Sequence, residues 1–450
     1  MADDVLLGAD LGTSGLKLVA LDAAGTVVAE AEAGYAVARP TPDRAEGEVG
    51  TWRAAFDDAL AAVLPRLGSA RVRGLGLAGQ MHGAVLVDAA GTVLRPALLW
   101  PDRRATAELS RWRGLATADR LGLANPLVPG MTGPMLAWLI GHEPAVVGRA
   151  SAVLLPKDAL RANLMPGCEP RITDRSDASA TLLWDVRTDD WSPAAVAAAG
   201  IPPSLLPEVR PGTDVVGTLP AAAGEEVPVV VGGADTPLAL LAAGTTAGLQ
   251  VNLGTGVQVL RPAVPPGPAD DPFIHCYADV TGGWYAMAAL QNGGSAWEWV
   301  GAVLGMGWAE LFDAAASAPA GTCGVVFRPF LTGERGGVAG PEDRGGWSGL
   351  TAGSTRADLA RAAVEGVAAA TGAAAALLPG QDDGSPVVLT GGGTRSAVVQ
   401  QALADALGRP VRHLPLRSAS AVGAAVLAGR GTGLEVTPVR RPGPVVDPAP

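Results

Sequence analysis

The first part of the chain alternates hydrophobic and polar residues with the period of β-strands. Residues 5–37 carry this alternation across two glycine-bearing turns, at 10–15 and 22–26. Apolar alternation interrupted by glycine is typical of short strands joined by tight turns. The pattern therefore predicts that the fold begins with a strand meander.

A helical period follows the meander. Trp52, Phe56, Leu60 and Val63 recur at helical spacing, which places them on one face of a helix over residues 51–64. The other elements predicted for the first half are a strand at 72–77, a hairpin with its turn at 88–92 and, within a less regular stretch over 104–226, helices at 106–112 and 193–199.

A second series of strands begins near residue 229. Residues 251–262 read as a strand, a tight turn through Gly254, Thr255 and Gly256, and another strand. Because this unit is similar to the hairpin at 6–21, the chain is predicted to repeat one architecture in its two halves. The later elements are a helix at 357–378, a strand at 386–389, helices at 396–407 and 421–427, and a proline-rich end at 436–450 that is expected to be a loose tail.

Length and composition favour an α/β protein of two domains. The 450 residues suit two cores, and 48% of them are hydrophobic against 17% charged. A formal net charge of −11 argues against nucleic acid or an anionic membrane surface as a partner. Cys168, Cys276 and Cys323 lack the spacing of metal-thiolate sites, and no apolar run is long enough to span a bilayer. We expect a cytoplasmic protein, and the sequence leaves a homodimer open.

The turn at residues 10–15 combines groups that suit a phosphate chain. Gly12 lets the backbone approach an anion, Thr13 and Ser14 offer hydroxyl donors, and Lys17 adds a nearby cation. Asp10 would supply an oxygen ligand to a Mg²⁺ ion carried by a nucleotide. A plain glycine turn between two strands is the alternative interpretation.

The second glycine turn strengthens the phosphate interpretation. Gly254, Thr255 and Gly256 could hold the far side of the same phosphate chain, so that each half of the protein contributes one loop. Neither turn has the glycine spacing of a P-loop or of a dinucleotide-binding Rossmann fold.

Asp235 follows an apolar strand and two glycines and begins an apolar helix. Aspartate at this position commonly caps a helix, but near two phosphate loops it could instead accept a proton from an attacking hydroxyl. Three consecutive glycines, Gly391, Gly392 and Gly393, join a later strand to a helix. They permit a flat ligand to lie on the backbone, or form an ordinary connection.

The ordered set of motifs resembles the FGGY family of carbohydrate kinases, a branch of the actin-like ATPases, and within that family the xylulokinases. The resemblance covers nearly the whole chain and depends on ADLGTSGLK at 9–17, AGQMHG at 78–83, LLWPDRR at 98–104, LLPKDALR at 154–161, TDRSDASATLLWDV at 173–186, GGADT at 232–236, NLGTG at 252–256, PFLTGER at 329–335 and LTGGGTRS at 389–396.

The resemblance implies a fold and a division of the chain. It implies two actin-like (ribonuclease H-like) ATPase domains with a nucleotide and sugar cleft between them. Residues 1–243 would carry the sugar-binding side and the first phosphate loop, and residues 244–435 the second phosphate loop and the adenosine site. Residues 436–450 would follow as the proline-rich tail.

The resemblance also implies an activity, which is transfer of the ATP γ-phosphoryl group to O5 of D-xylulose with Mg²⁺. Asp235 would be the general base and sugar contact, and Asp10 the metal-side acid, with both acids near the metal. Gln80, Met81, His82, Trp100 and Asp102 would line the sugar site. The nucleotide would contact Gly12, Thr13, Ser14, Lys17, Gly254, Thr255, Gly256, Gly391, Gly392 and Gly393.

Several positions depart from the family pattern. Pro101 stands where the family usually has asparagine, and Arg103 where it often has a small residue. Thr236 replaces a common asparagine, and the segment after Arg335 differs. A kinase for another ketopentose such as ribulose, or for a polyol, therefore stays open, as does a non-catalytic actin-like nucleotide-binding module.

Overall fold

Two seven-stranded sheets form the framework of the protein in the computed structural model. The structure describes residues 4–220, 226–267, 272–335, 337–381 and 383–450. Its strands are, in chain order, β1 Asp4–Leu11, β2 Gly15–Asp22, β3 Val27–Gly34, β4 Glu46–Gly47, β5 Arg71–Gly79, β6 Val85–Val87, β7 Ala97–Leu98, β8 Ala152–Leu154, β9 Ile172–Asp174, β10 Trp184–Asp185, β11 Asp190–Trp191, β12 Glu208–Arg210, β13 Val215–Pro220, β14 Glu226–Val230, β15 Gly233–Ala234, β16 Gln250–Leu253, β17 Val257–Pro262, β18 His275–Ala278, β19 Trp284–Leu290, β20 Val326–Arg328, β21 Gly346–Ser348, β22 Val387–Thr390, β23 Val411–His413 and β24 Val445–Val446.

Helices cover the sheets, and the helix Asp235–Ala243 links the last strand of the first sheet to the first strand of the second. They are α1 Val49–Leu67, α2 Leu109–Arg113, α3 Thr117–Leu123, α4 Thr132–His142, α5 Pro144–Val147, α6 Pro156–Leu164, α7 Arg175–Ala178, α8 Pro193–Ala199, α9 Asp235–Ala243, α10 Gly294–Leu304, α11 Trp308–Ser317, α12 Arg356–Ala376, α13 Ala397–Leu407 and α14 Ala419–Thr432. None of the helices in the described ranges is long and apolar enough to cross a membrane.

The two sheets repeat one topology. The first has the order β13-β14-β5-β1-β2-β3, with β15 also paired to β5, and the second has the order β18-β19-β17-β16-β22-β23-β24. In each sheet an antiparallel hairpin, β1/β2 or β16/β17, pairs through its first strand with a parallel neighbour, β5 or β22. This repeat confirms the predicted α/β fold class and the similarity of the two hairpins.

Close helix packing on the first sheet explains two of its glycines. A Cβ atom on Gly8 of β1 would lie 1.9 Å from the carbonyl oxygen of Ala421, and one on Gly76 of β5 would lie 2.0 Å from that of Ala424. Larger residues would push α14 away from the sheet. Helix α14 therefore packs on the first sheet, although it follows the strands of the second sheet in the chain.

The irregular segment predicted at 104–226 joins the two halves through a shared core. Met81 and Met135 belong to the same buried cluster as Tyr277 and Tyr285 of the second sheet. Asn125 also exchanges two hydrogen bonds with the backbone of Cys276, at 2.9 and 3.0 Å. The motif at 78–83, which is predicted to contact the sugar, is therefore held between the two halves of the chain.

Most predicted elements are present with shifted ends. Helix α8 covers the residues predicted for it, α1 extends the helix predicted at 51–64, and α12 matches the helix predicted at 357–378. The helix predicted at 106–112 begins only at Leu109. The expectation of a loose C-terminal tail is wrong for part of it, because β24 pairs with β23 and completes the edge of the second sheet.

Candidate active site between the two sheets

The carboxyl ends of three neighbouring strands bring the predicted acids to one edge of the first sheet. Asp10 pairs in register with Ala78 of β5, and Ala78 in turn pairs with Gly233 of β15. Asp235 begins α9 directly after β15. Asp10 is level with Gly233, two residues before Asp235, so the two acidic residues lie at the same sheet edge, at the ends of strands that β5 separates.

Burial changes the protonation of both acids. The pKa of Asp10 is raised from 3.8 to about 7, first by burial and then by the charge of Asp235, against the opposing effect of Lys17. Burial also raises the pKa of Asp235 to about 6, although Thr236 donates hydrogen bonds to Asp235 Oδ1 from its backbone N at 2.6 Å and from its hydroxyl at 3.2 Å. Acids with raised pKa values in a cleft are suited to exchange protons or to bind a cation.

The donor set at this edge fits a magnesium ion that arrives with a nucleotide. Asp10 Oδ1 is buried and has no hydrogen-bond partner. Within the described ranges, no group of three or more His, Cys, Asp or Glu residues gathers into a metal site. Mg²⁺ is commonly held by one or two carboxylates together with phosphate oxygens and water, and Asp10 and Asp235 supply that number of carboxylates.

Surrounding contacts fix the first glycine turn and leave Ser14 exposed to solvent. The Gly12 carbonyl oxygen accepts hydrogen bonds from the Tyr35 hydroxyl at 2.5 Å and from Gln80 Nε2 at 3.2 Å. The backbone N of Tyr35 donates to the Ser14 carbonyl oxygen at 3.0 Å. Lys17 lies directly opposite Asp10 in the β1/β2 pair, so the turn has a cation beside it.

The second glycine turn rests on another pair of glycines. The Gly254 carbonyl oxygen accepts a hydrogen bond from Gly294 N at 2.9 Å, and the Thr255 carbonyl oxygen accepts one from Gly293 N at 3.2 Å. A Cβ atom on Gly256 would lie 2.5 Å from the carbonyl oxygen of Leu290. The turn needs glycine for this packing, and Gly293 and Gly294 are site residues that the sequence analysis did not identify.

The three-glycine segment lies beside the second turn because β16 and β22 are parallel neighbours. Gly391 has a φ of +91°, a conformation that favours glycine. A Cβ atom on it would lie 2.4 Å from the Leu253 carbonyl oxygen, whereas Gly392 has open space around its Cβ direction. Gly393 packs against the Leu253 side chain. The segment offers an open backbone surface next to residues 254–256.

His82 is held in an unusual backbone conformation with a defined ring tautomer. Its φ of +67° is uncommon for a residue other than glycine and is often found at functional sites. His82 Nδ1 lies 2.5 Å from the Ala180 carbonyl oxygen, and since a carbonyl only accepts, Nδ1 carries the hydrogen. Burial lowers the pKa of His82 to about 4. The neutral ring therefore keeps Nε2 as a hydrogen-bond acceptor.

The other predicted sugar residues have different surroundings. Met81 is buried, and its sulfur lies 3.8 Å from the Tyr285 hydroxyl. Gln80 is buried with no partner for Oε1. Trp100 is 38% exposed and donates a hydrogen bond from Nε1 to Thr13 Oγ1 at 2.9 Å. Trp100 thus connects the predicted sugar side to the first glycine turn.

Asp102 differs from these residues because protein groups already occupy its carboxylate. It accepts a hydrogen bond from Ala45 N at 2.8 Å and pairs with Arg104 at 2.8 Å. The side chain is also buried. A sugar contact by Asp102 stays a prediction, and its present bonds favour a role in positioning the loop around Trp100.

A cavity of about 1030 Å³ adjoins Trp100 and has walls from both halves of the chain. Asp102 and Arg103 line it on one side, and Gln291 and Arg335 line it on the other. Arg335 is not among the site residues predicted from the sequence, because nothing in its local pattern indicates that it faces Trp100. Its place in the GER motif was the available signal.

Comparisons with known proteins show the family to which the chain belongs. The N-terminal domain model of the FGGY family of carbohydrate kinases matches residues 5–242, and the C-terminal domain model matches residues 241–432. The chain is 34% identical to the xylulose kinase of Escherichia coli over 96% of this chain and 90% of that protein. It is also 34% identical to the xylulose kinase of Streptomyces coelicolor, over 98% of this chain and 92% of that protein.

Solved structures give the same result. A xyloylose kinase from Brucella ovis matches with a TM-score of 0.89 and 30% identity, over 99% of this chain and 95% of that one. A gluconate kinase from Lactobacillus acidophilus has a TM-score of 0.91 at 22% identity, over 100% of this chain and 94% of that one, which shows a shared fold. The chain is therefore a sugar kinase that belongs to the FGGY family of carbohydrate kinases.

Proposed function

We propose that this sugar kinase phosphorylates D-xylulose at O5 with ATP as the phosphoryl donor. The relatives with the names given above support D-xylulose as the substrate. The observation that carries the mechanism is the position of Asp235, a buried acid with a raised pKa at the same sheet edge as Asp10 and the first glycine turn. The division of the chain near residue 243 is part of the proposal, with the sugar-binding side in the first half.

ATP lies, in this proposal, with its phosphates between the two glycine turns. Thr13, Ser14 and Lys17 bind from the first half, and the backbone and hydroxyl of residues 254–256 bind from the second. Gly391, Gly392 and Gly393 support the adenosine. Asp10 and Asp235 would hold Mg²⁺ together with phosphate oxygens, and the bound ion would neutralise phosphate charge.

The sugar lies on the side of His82. Neutral His82 accepts a hydrogen bond from a sugar hydroxyl through Nε2, Gln80 offers the otherwise unpartnered Oε1, and Met81 forms an adaptable apolar wall. Asp235 accepts the proton of the O5 hydroxyl as its oxygen attacks the γ-phosphorus. A carboxyl with a pKa of about 6 is ionised at neutral pH and can take this proton.

Turnover over a panel of sugars tests this function. ADP release with Mg-ATP is measured for D-xylulose, other ketopentoses, polyols and no sugar, with the wild type, Asp235→Asn and the control Asp88→Asn. We expect D-xylulose to give the highest kcat/KM and Asp235→Asn to lower kcat by about 10³-fold or more, since general-base catalysis contributes about 10²–10⁴-fold. Asp88 caps a hairpin turn with bonds to Ala90 N and Thr92 N at 2.9 Å, and its variant should keep wild-type turnover.

The result also separates the alternatives. Preference for another ketopentose or a polyol would reassign the substrate and keep the mechanism. ADP release that is indifferent to every sugar would support the actin-like module instead. Wild-type kcat in Asp235→Asn would reject the base assignment.

A further inference from the structure

Arg335 is a charged residue that lines the cleft. It lines the cavity beside Trp100 and is accessible to solvent there. Among the other arginines that line this cavity, Arg344 pairs with Glu342 at 3.6 Å. Across the part of the chain that the structure describes, Arg335 has no ion pair, and its guanidinium carbon lies 5.9 Å from the centre of the Trp100 ring. An unpaired guanidinium in a cleft is suited to an anionic ligand.

Glu334 fixes Arg335 to the second glycine turn. The buried Glu334 carboxylate accepts hydrogen bonds from Gln291 N at 3.0 Å, from Asn292 N at 3.1 Å and from Asn292 Nδ2 at 2.8 Å. The next two residues of the chain are Gly293 and Gly294, whose backbone N atoms hold the second turn. The backbone of Arg335 is therefore set at a fixed place relative to residues 254–256.

Trp100 brings the same guanidinium close to the first glycine turn. The Trp100 ring donates to the Thr13 hydroxyl from one edge and faces Arg335 with its π surface. Arg335 thus lies between the two turns that face the phosphates, one contacted through Glu334 and the other through Trp100. Arg335 also lies near the proposed sugar site, since its charge lowers the pKa values of His82, His275 and Tyr277.

The charge on Arg335 is retained in this setting. Desolvation lowers its pKa, Tyr277 and Glu334 raise it, and Arg103 across the cavity lowers it. Because an arginine side chain is not deprotonated in proteins at ordinary pH, Arg335 and Arg103 face the cavity as two positive charges. An anion between them would remove this repulsion.

We propose that Arg335 binds the phosphoryl group while it moves from ATP to the sugar, and is therefore a catalytic residue contributed by the second half of the chain. The inference rests on the proposed kinase reaction. A bond forms between the sugar O5 and the γ-phosphorus, and the bond from that phosphorus to the β,γ-bridging oxygen breaks. The O5 proton passes to Asp235, and ADP leaves with the bridging oxygen. Arg335 donates hydrogen bonds to the anionic oxygens of the transferred group throughout.

The test compares Arg335→Gln and Arg335→Lys with the control Arg344→Gln, which removes a charge from the same cavity wall. Steady-state kcat and KM for D-xylulose are measured with saturating Mg-ATP. We expect Arg335→Gln to lower kcat by about 10²–10³-fold, the usual cost of losing one such donor, and to change the KM for D-xylulose by less than about 3-fold. Arg335→Lys keeps the charge without the bidentate fork and should fall between, while Arg344→Gln stays near the wild type.

A binding measurement provides a readout that does not depend on turnover. Calorimetry with D-xylulose and Mg²⁺ gives the Kd of ADP alone and of ADP with aluminium fluoride, which imitates the phosphoryl group in transfer. Arg335→Gln should weaken binding of the aluminium fluoride complex by about 100-fold and that of ADP by less than about 3-fold, because the lost contact belongs to the transition state.

Two outcomes overturn the inference. An unchanged kcat in Arg335→Gln would reduce Arg335 to a packing partner of Trp100, and an effect confined to the KM for D-xylulose would make it a sugar contact. Failure of the wild type to phosphorylate any sugar would instead reject the proposed function, while the comparison of ADP with its aluminium fluoride complex would still report on Arg335.

Discussion

The cluster around Lys157 and the cleft around Asp10 both contain buried charged groups, but these groups are paired with one another in the cluster and not in the cleft. Lys157 has no exposed surface, and its Nζ lies 2.7 Å from Asp158, 2.9 Å from Asp174 and 3.0 Å from Asp177. Arg161 adds a second cation, 2.8 Å from Asp158. In the cleft, by contrast, no ion pair joins Asp10 to a cation within the described ranges, and its Oδ1 has no hydrogen-bond partner.

The pKa directions express the same difference. Burial alone would lower the pKa of Lys157, but the three carboxylates outweigh that effect and raise it. Burial raises the pKa of Asp177 well above its usual value, which brings the cluster close to neutrality. For Asp10, burial and Asp235 both raise the pKa to about 7, and Lys17 compensates only in part. Charges that the protein itself balances serve structure, and charges left unbalanced at the cleft face a ligand.

The balanced cluster also reaches the active site. Asp174 accepts a hydrogen bond from Ser176 N at 2.7 Å, and the Ser176 hydroxyl accepts one from Ala234 N at 2.9 Å. Ala234 immediately precedes Asp235. The cluster therefore holds the backbone of the proposed base while its own charges stay out of the reaction.

The largest effect is expected on stability, when the cation of the Lys157 cluster is removed. Lys157→Met keeps a similar side-chain length but leaves three buried carboxylates without their shared cation. Loss of one partner from a buried ion pair costs about 3–5 kcal/mol, so the midpoint of urea unfolding should fall strongly. The control Arg210→Met breaks a half-exposed pair with Asp214 at 3.0 Å and should cost less than about 1 kcal/mol. Equal losses in the two variants would contradict the comparison.

A smaller effect is expected in the cleft around Asp10, and it concerns kcat instead of stability. Asp10→Asn removes a carboxylate proposed to hold Mg²⁺ and should lower kcat by about 10²–10³-fold, in line with the several kcal/mol that a bound metal contributes. Glu32→Gln, a nearby acid that also raises the pKa of Asp10, is the control and should change kcat by less than about 3-fold.

The melting temperature shows whether the lower kcat of Asp10→Asn comes from the lost carboxylate or from misfolding. The folded pKa of Asp10, about 7, lies above its ordinary 3.8, so the native state binds more protons than the unfolded state between these values and loses stability as the pH rises through them. Asparagine cannot ionise. In EDTA at pH 8, Asp10→Asn should melt at or above the wild-type temperature, with a smaller difference at pH 4. A variant that melts far below the wild type at pH 8 would make Asp10 a structural residue.

Local signals in the sequence predicted the regular elements well. Helix α8 shows the usual start and stop signals. Ser192 caps its start by accepting a hydrogen bond from Ala195 N, proline follows at the first position, and Gly200 ends the helix in a left-handed conformation. Helix α4 was missed since its apolar residues are buried on every side and leave no periodicity. The two glycine turns and Asp235 could be identified because their residue types indicate chemistry by themselves.

Long-range contacts could not be predicted in the same way. Packing of α14 on the first sheet depends on Gly8 and Gly76, which are hundreds of residues away in the chain. The contact between Trp100 and Arg335 joins the two halves, and neither residue carries a local sign of it. Asp102 has the residue type of a sugar ligand, but a long-range hydrogen bond from Ala45 N and a local pair with Arg104 occupy its carboxylate.

A crystal structure with Mg²⁺, a non-hydrolysable ATP analogue and D-xylulose tests the central claim most directly. We predict that the triphosphate contacts both glycine turns, at residues 12–14 and 254–256, and that the sugar O5 lies within about 3.2 Å of the Asp235 carboxylate. A triphosphate bound away from either turn, or an Asp235 carboxylate beyond reach of the sugar, would contradict the account.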